Sequence, residues 1–267
     1  MSRVITITSG KGGVGKTTST ANLGTALAMQ GAKVAVVDAD IGLRNLDVVM
    51  GLENRIVYDL VDVIEGRCRL RQALIKDKHF PDLCLLPAAQ TRDKDAVSVD
   101  DMIALAHQLR TEFDYVLIDS PAGIEAGFRN AIAGADEVVI ITTPEVSAVR
   151  DADRIVGLVE AFEKGHPRLV INRIKPRMVN RGDMMSVDDV LQILAIDLIG
   201  VVPDDEQIVT ATNRGEVAVL DRASRAGRAF VDIARRIGGE EVPFMSLDEP
   251  QGLMDRFFGI FGRRSTR

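Results

Sequence analysis

Short runs of apolar residues recur along the chain, and each ends in polar or proline-containing sequence. They are Val4–Thr8, Lys33–Val37, Leu83–Leu86, Tyr115–Ile118, Val138–Thr142, Leu169–Ile171 and Leu198–Val202. Apolar runs without alternation predict strands covered on both faces. The stretches between them carry helix signals. Thr17–Gln30 predicts a helix closed by Gly31. Ser186-Val187-Asp188-Asp189 predicts a capping box ahead of Val190–Leu194, and Arg222–Ile237 predicts a helix with its arginines off the apolar face. Strand and helix in alternation predict an α/β fold, with a mostly parallel central sheet and helices on both faces. Gly238-Gly239 ends the last helical pattern, so the globular domain is expected to span 1–240, followed by a linker at 241–252.

Ligands of open α/β sheets gather at the carboxyl ends of the strands. The first strand runs into Gly10-Lys11-Gly12-Gly13-Val14-Gly15-Lys16-Thr17-Thr18, a phosphate-loop pattern in strand–loop–helix context. Backbone N–H groups of such a loop wrap a phosphate chain, and glycines let the backbone approach its oxygens. The helix that follows turns its positive end toward the same anion. Lys16 is expected on the β- and γ-phosphates, and the Thr17 hydroxyl on Mg²⁺. A plain glycine-rich turn is the bland alternative, and it leaves the Lys-Thr pair unexplained. Lys11 is unusual, because a second ammonium beside Lys16 is unfavourable unless an anion compensates it.

Asp119 ends the run Tyr115–Ile118, where a carboxylate can serve Mg²⁺ directly or through water. A strand-end aspartate capping the next helix is the alternative. Asp38 and Asp40 follow the second run, and beside a metal–phosphate site one can hold the metal shell while the other orients an attacking water. Residue types alone leave open which does which.

The pattern Gly10–Thr17, complete with Lys11, resembles the deviant Walker A ATPases. Ile41–Asp47, Gln90–Asp95, Asp119–Glu125, Pro144–Asp151 and Arg181–Met184 resemble the division-site (Min) branch of that family, and the likeness runs almost end to end. The resemblance implies a P-loop NTPase fold and an Mg²⁺-dependent ATPase that dimerises around ATP, with Lys11 reaching nucleotide across the dimer. It assigns Asp40 to the attacking water and Asp38 to the magnesium shell. It places Asn45 near phosphate, Asn172 and the loop Pro203–Asp205 around the adenine, and Arg150 and Asp151 on the dimer or partner surface. It also implies a MinC-type division inhibitor and a MinE-type activator as partners.

Composition narrows the alternatives. The 267 residues carry a formal charge of −6, which argues against a surface that coats nucleic acid. A partition ATPase of the ParA type is disfavoured accordingly, and a flagellar-number regulator fits the Min-like stretches less well. A nucleotide-gated scaffold without turnover would have no use for Asp40. Two cysteines, Cys68 and Cys84, and three scattered histidines match neither a disulfide framework nor a metal site. No signal peptide or spanning segment is read, so the expected place is the cytoplasm, with cycling onto the inner face of the cell membrane.

That last expectation rests on the tail, 253–267. Leu253, Met254, Phe257, Phe258, Ile260 and Phe261 fall within about 160° of a helical wheel. Arg256 and Arg263 lie outside that arc, and Arg264 and Arg267 follow the apolar cluster. An apolar face beside arginines is the pattern of an interfacial helix drawn to anionic inner-membrane lipid. Burying six such side chains yields at most roughly 9–18 kcal/mol. Ordering the segment costs about 1–2 kcal/mol per residue. One tail therefore binds weakly, and two on a dimer gain on the order of 10²–10⁴-fold. A helix docked on the body is the competing reading.

Overall fold

The computed structural model describes residues 2–93 and 96–247. The predicted membrane residues, Leu253 to Arg264, lie outside that range, as does the linker from residue 248 onward. The chain starts with β1 (Arg3–Thr8), α1 (Lys16–Met29), β2 (Val34–Asp38), α2 (Leu46–Met50), α3 (Leu60–Ile64) and α4 (Leu70–Ala73). It continues through β3 (Ile75–Lys76), β4 (Leu83–Leu86), α5 (Val99–Arg110), β5 (Tyr115–Asp119), α6 (Ala126–Ala133), β6 (Glu137–Thr142) and α7 (Val146–Ala161). It closes with β7 (Arg168–Ile174), α8 (Pro176–Asn180), α9 (Val187–Leu194), β8 (Asp197–Pro203), α10 (Glu206–Asn213) and α11 (Arg225–Ile237).

The strands form one sheet in the order β3-β4-β2-β5-β1-β6-β7-β8. All are parallel except the short edge strand β3, which runs against β4. Side chains alternate between the faces of a strand. Ile5 and Ile7 of β1 pack with α1 and α11 on one face, and Val4 packs toward α5 on the other. Beyond β1, Val138 and Ile140 meet α7 and α9 on that second face. Both faces are covered, which is why the runs are apolar without alternation.

Local chemistry sets the helix ends. Helix α9 begins after Ser186, whose hydroxyl accepts from Asp189 N while the Asp189 carboxylate accepts from Ser186 N. Helix α11 starts at Arg225 instead of the expected Arg222. Ser224 Oγ accepts from Gly227 N at 2.9 Å, and Asp221 Oδ1 accepts from Ala223 N, so the preceding residues form a capped turn. After Ile237 the chain turns at Gly239 in the left-handed region and comes back along α11. Arg236 donates to the carbonyls of Val242 and Pro243 and stacks over Phe244 at 4.2 Å. Arg225, at the far end of the helix, donates to the carbonyls of Ser246 and Leu247. Residues 242–247 thus form a strap bound to α11.

Candidate functional site

The carboxyl ends of β1, β2, β5, β6, β7 and β8 open on one edge of the sheet, and the expected site residues gather there. The loop 9–15 is held from below. Ser9 Oγ donates to Lys11 O at 2.8 Å, and a side chain on Gly10 would collide with the backbone of Asp151 in α7. Gly15 takes a left-handed φ of 97° and starts α1. Above Gly12 and Gly13 there is open space where a Cβ would sit. Loop backbone and the first turn of α1 meet there, an arrangement that fits a phosphate chain. Lys16 opens that turn and is buried. Lys11 is exposed, and its Nζ donates to Ser147 Oγ at 3.2 Å at the start of α7.

Asp38 and Asp119 are paired across the ladder between β2 and β5, and both are about 1% exposed. Burial pushes the Asp119 carboxyl up, and the neighbouring Asp38 charge adds to it; Thr17 and Thr20 hydroxyls and Lys16 oppose the rise. Asp38 is pushed up chiefly by burial and, less strongly, by Asp40, against three backbone donors. Those donors are Asp40 N at 3.0 Å, Asn45 N at 3.1 Å and Leu46 N at 3.1 Å. Asp38 therefore organises the loop that carries Asp40 and Asn45. Two buried carboxylates beside the phosphate loop and the Thr17 hydroxyl suit a divalent cation. Such a donor set fits Mg²⁺, which keeps most of its waters and takes few protein ligands.

A cleft of about 230 Å³ adjoins the loop, lined by Gly15, Thr18, Asn172, Pro203, Asp205 and the apolar Ile208, Val209 and Phe230. Its polar walls are already braced. Asn172 Nδ2 donates to Val14 O at 2.8 Å and fills the place a Gly15 side chain would need. Asp205 accepts from Gln207 N at 2.9 Å, Ser224 Oγ at 2.8 Å and Ala226 N at 3.0 Å. Its carboxylate ties the wall to α11, a role absent from the sequence reading.

The remaining expected residues lie around this edge. Asp40 is half-buried, Asn45 is exposed at the start of α2, and Arg150 and Asp151 sit in the first turns of α7. Sequence reasoning missed Thr20, whose hydroxyl lies 3.3 Å from Asp119 Oδ1, and Ser147, the partner of Lys11. Thr20 stands one turn beyond Thr17 on α1, a spacing that could have shown it.

Residues 5–219 match the family described as the CobQ/CobB/MinD/ParA nucleotide binding domain. The septum site-determining protein MinD of Bacillus subtilis is 57% identical over 268 residues, covering 99% of this chain and 100% of that protein. Among solved structures, the Aquifex aeolicus MinC:MinD cell division protein complex aligns with TM-score 0.86 at 49% identity, over 92% of this chain and 99% of the other. The septum site-determining protein MinD of Pyrococcus horikoshii, complexed with Mg-ADP, aligns with TM-score 0.79 at 29% identity, over 89% of this chain and 96% of the other. The chain belongs to the CobQ/CobB/MinD/ParA nucleotide-binding family, within its septum-site-determining MinD group.

Proposed function

We propose that this chain is an Mg²⁺-dependent ATPase that positions the division site. ATP bound at the loop joins two copies, and the joined pair settles on the inner membrane and recruits a MinC-type inhibitor. Hydrolysis stimulated by a MinE-type activator returns it to the cytoplasm. The observation that carries this reading is the exposed Lys11 ammonium, bonded to Ser147 Oγ, on the same phosphate loop that brings Lys16 and Thr17 beside Asp119. An ammonium so placed can serve phosphate of a facing copy. Lys16 would neutralise phosphate charge, Thr17 and Asp119 would hold the magnesium shell, and Asp40 would orient the attacking water. Magnesium, when bound, supplies charge stabilisation on the phosphate oxygens.

The MinC:MinD complex from Aquifex supports the inhibitor partnership. The basic, apolar tail from 253 to 267 supports membrane attachment. No helix among the described residues is long and apolar enough to cross a membrane. Co-sedimentation with anionic vesicles tests the whole reading. Pelleting in Mg²⁺-ATP and not in Mg²⁺-ADP is expected. Equal pelleting in both would mean an anchor without a nucleotide switch.

A further inference from the structure

Arg173 has no role in the reading above, yet the fold holds it in a costly pose. It lies at the irregularity in the β7–β8 ladder between Ile171 and Ile174, with φ of 58°. An arginine seldom adopts that left-handed conformation. The turn sends its side chain back over the mouth of the cleft beside the phosphate loop. There Nη1 lies 3.5 Å from Gly13 O, and Nε lies 3.5 Å from Asp204 Oδ1. Asp204 also accepts from Lys175 Nζ at 3.3 Å. Both Arg173 contacts sit at the outer limit of a hydrogen bond, and the side chain is 57% exposed. Long, solvated contacts of this kind contribute little, so they do not account for the pose.

The cleft supplies what they lack. Pro203, Ile208, Val209 and Phe230 give it apolar walls of the kind that receive a flat ring. Arg173 lines the same cleft as well as the neighbouring groove of Pro144, Met178 and Met184, so it stands at the opening between them. A guanidinium is planar and weakly hydrated, and it stacks on aromatic faces where an ammonium cannot lie flat.

We propose that Arg173 is a positioning residue for the purine of the bound nucleotide. Its guanidinium stacks on the open face of the base and bridges the phosphate loop at Gly13 to the β8–α10 loop at Asp204. This deepens the nucleotide-site reading and rests on it. A charge spanning both loops also makes the base end and the phosphate end of the site close together.

The test compares ADP with inorganic pyrophosphate, which has no base, by calorimetry on the full chain in Mg²⁺. Arg173→Gly removes the guanidinium and accepts the left-handed backbone without strain. It should weaken ADP binding about 3- to 30-fold and leave pyrophosphate within about twofold. Its melting temperature should hold or rise, which separates the effect from misfolding. Arg173→Lys keeps the charge without the plane and should not recover ADP affinity. Unchanged ADP affinity in Arg173→Gly, a parallel loss of both ligands, or full recovery by Arg173→Lys would each overturn the proposal. Parent protein that binds neither ADP nor pyrophosphate would instead overturn the nucleotide-site reading beneath it.

Discussion

Removing Asp119 should make the metal-free protein more stable. Asp119 is fully enclosed at the end of β5, opposite Asp38 on β2. Burial, followed by the Asp38 charge, pushes it up to about 7, against about 3.9 in an unfolded chain. The native state therefore holds a proton that the unfolded state has released. Stability falls as pH rises between those two values, because the unfolded state binds fewer protons there. Each unit of difference corresponds to about 1.4 kcal/mol, so the charge costs on the order of 2–4 kcal/mol at pH 8 in the absence of metal. Asp119→Asn removes it and still accepts from the Thr17 and Thr20 hydroxyls. Urea unfolding in EDTA without nucleotide should show the variant about 1–3 kcal/mol more stable than the parent at pH 8. The two should converge as pH falls below about 4, where both states keep the proton. Saturating Mg²⁺-ADP should invert the order. Ligand at 100 times its dissociation constant adds about 2.7 kcal/mol to a protein that binds it, and the variant should gain much less. A variant less stable than the parent by the same amount at both pH values would refute the argument, since burial of charge would then not be the dominant cost.

Gly10→Ala should lower the melting temperature by several degrees and abolish turnover. Its methyl group would enter the backbone of Asp151, and overpacking of this kind costs about 1–3 kcal/mol. Asp205→Asn should flatten the acid limb of the stability curve. Burial raises the Asp205 carboxyl, but the donors from Ala226, Gln207, Ser224 and Arg225 outweigh it and hold the group low. Its contribution is therefore present at neutral pH and lost as pH falls below about 4. Thermal melts from pH 7 to pH 2 would reveal an unchanged limb if those bonds were unimportant. Phe257→Asp should spare basal ATP turnover and release the protein from anionic vesicles; undiminished pelleting would assign the tail to the protein body.

The phosphate loop and the parallel strands were legible because their chemistry is local. Gly10 to Thr17 must supply glycine, lysine and hydroxyl at fixed spacing, and a strand buried on two faces must be apolar throughout. Leu83–Leu86 was read to the residue, and the capping box at Ser186 was read as it stands. What escaped depends on contacts distant in sequence. Asp205 looks like a cleft acid until Ser224 and Ala226, some twenty residues on, claim its oxygens. Pro243, Pro250 and Gly252 make that stretch read as linker, yet Arg236 and Arg225 capture the carbonyls of its first residues. Ile75-Lys76 is too short to show a period, and it becomes a strand only because the edge of β4 is there to pair with it. Arg173 gave no signal, because nothing in the residues Asn172-Arg173-Ile174 marks the irregularity in the β7–β8 ladder at which it sits.

The strap on α11 also moves the root of everything that follows it. A helix of 13 residues is about 20 Å long. A chain leaving directly after Ile237 would depart from the far end of that rod. By returning to Arg225 the chain starts again beside the end that Asp205 and Ser224 tie to the cleft. The density of a tethered group around its target falls roughly as the −3/2 power of tether length. Relocating the root places Leu247 beside the cleft end of α11, away from the end where Ile237 lies. Six residues folded back along a helix thus set the point from which the rest of the chain departs.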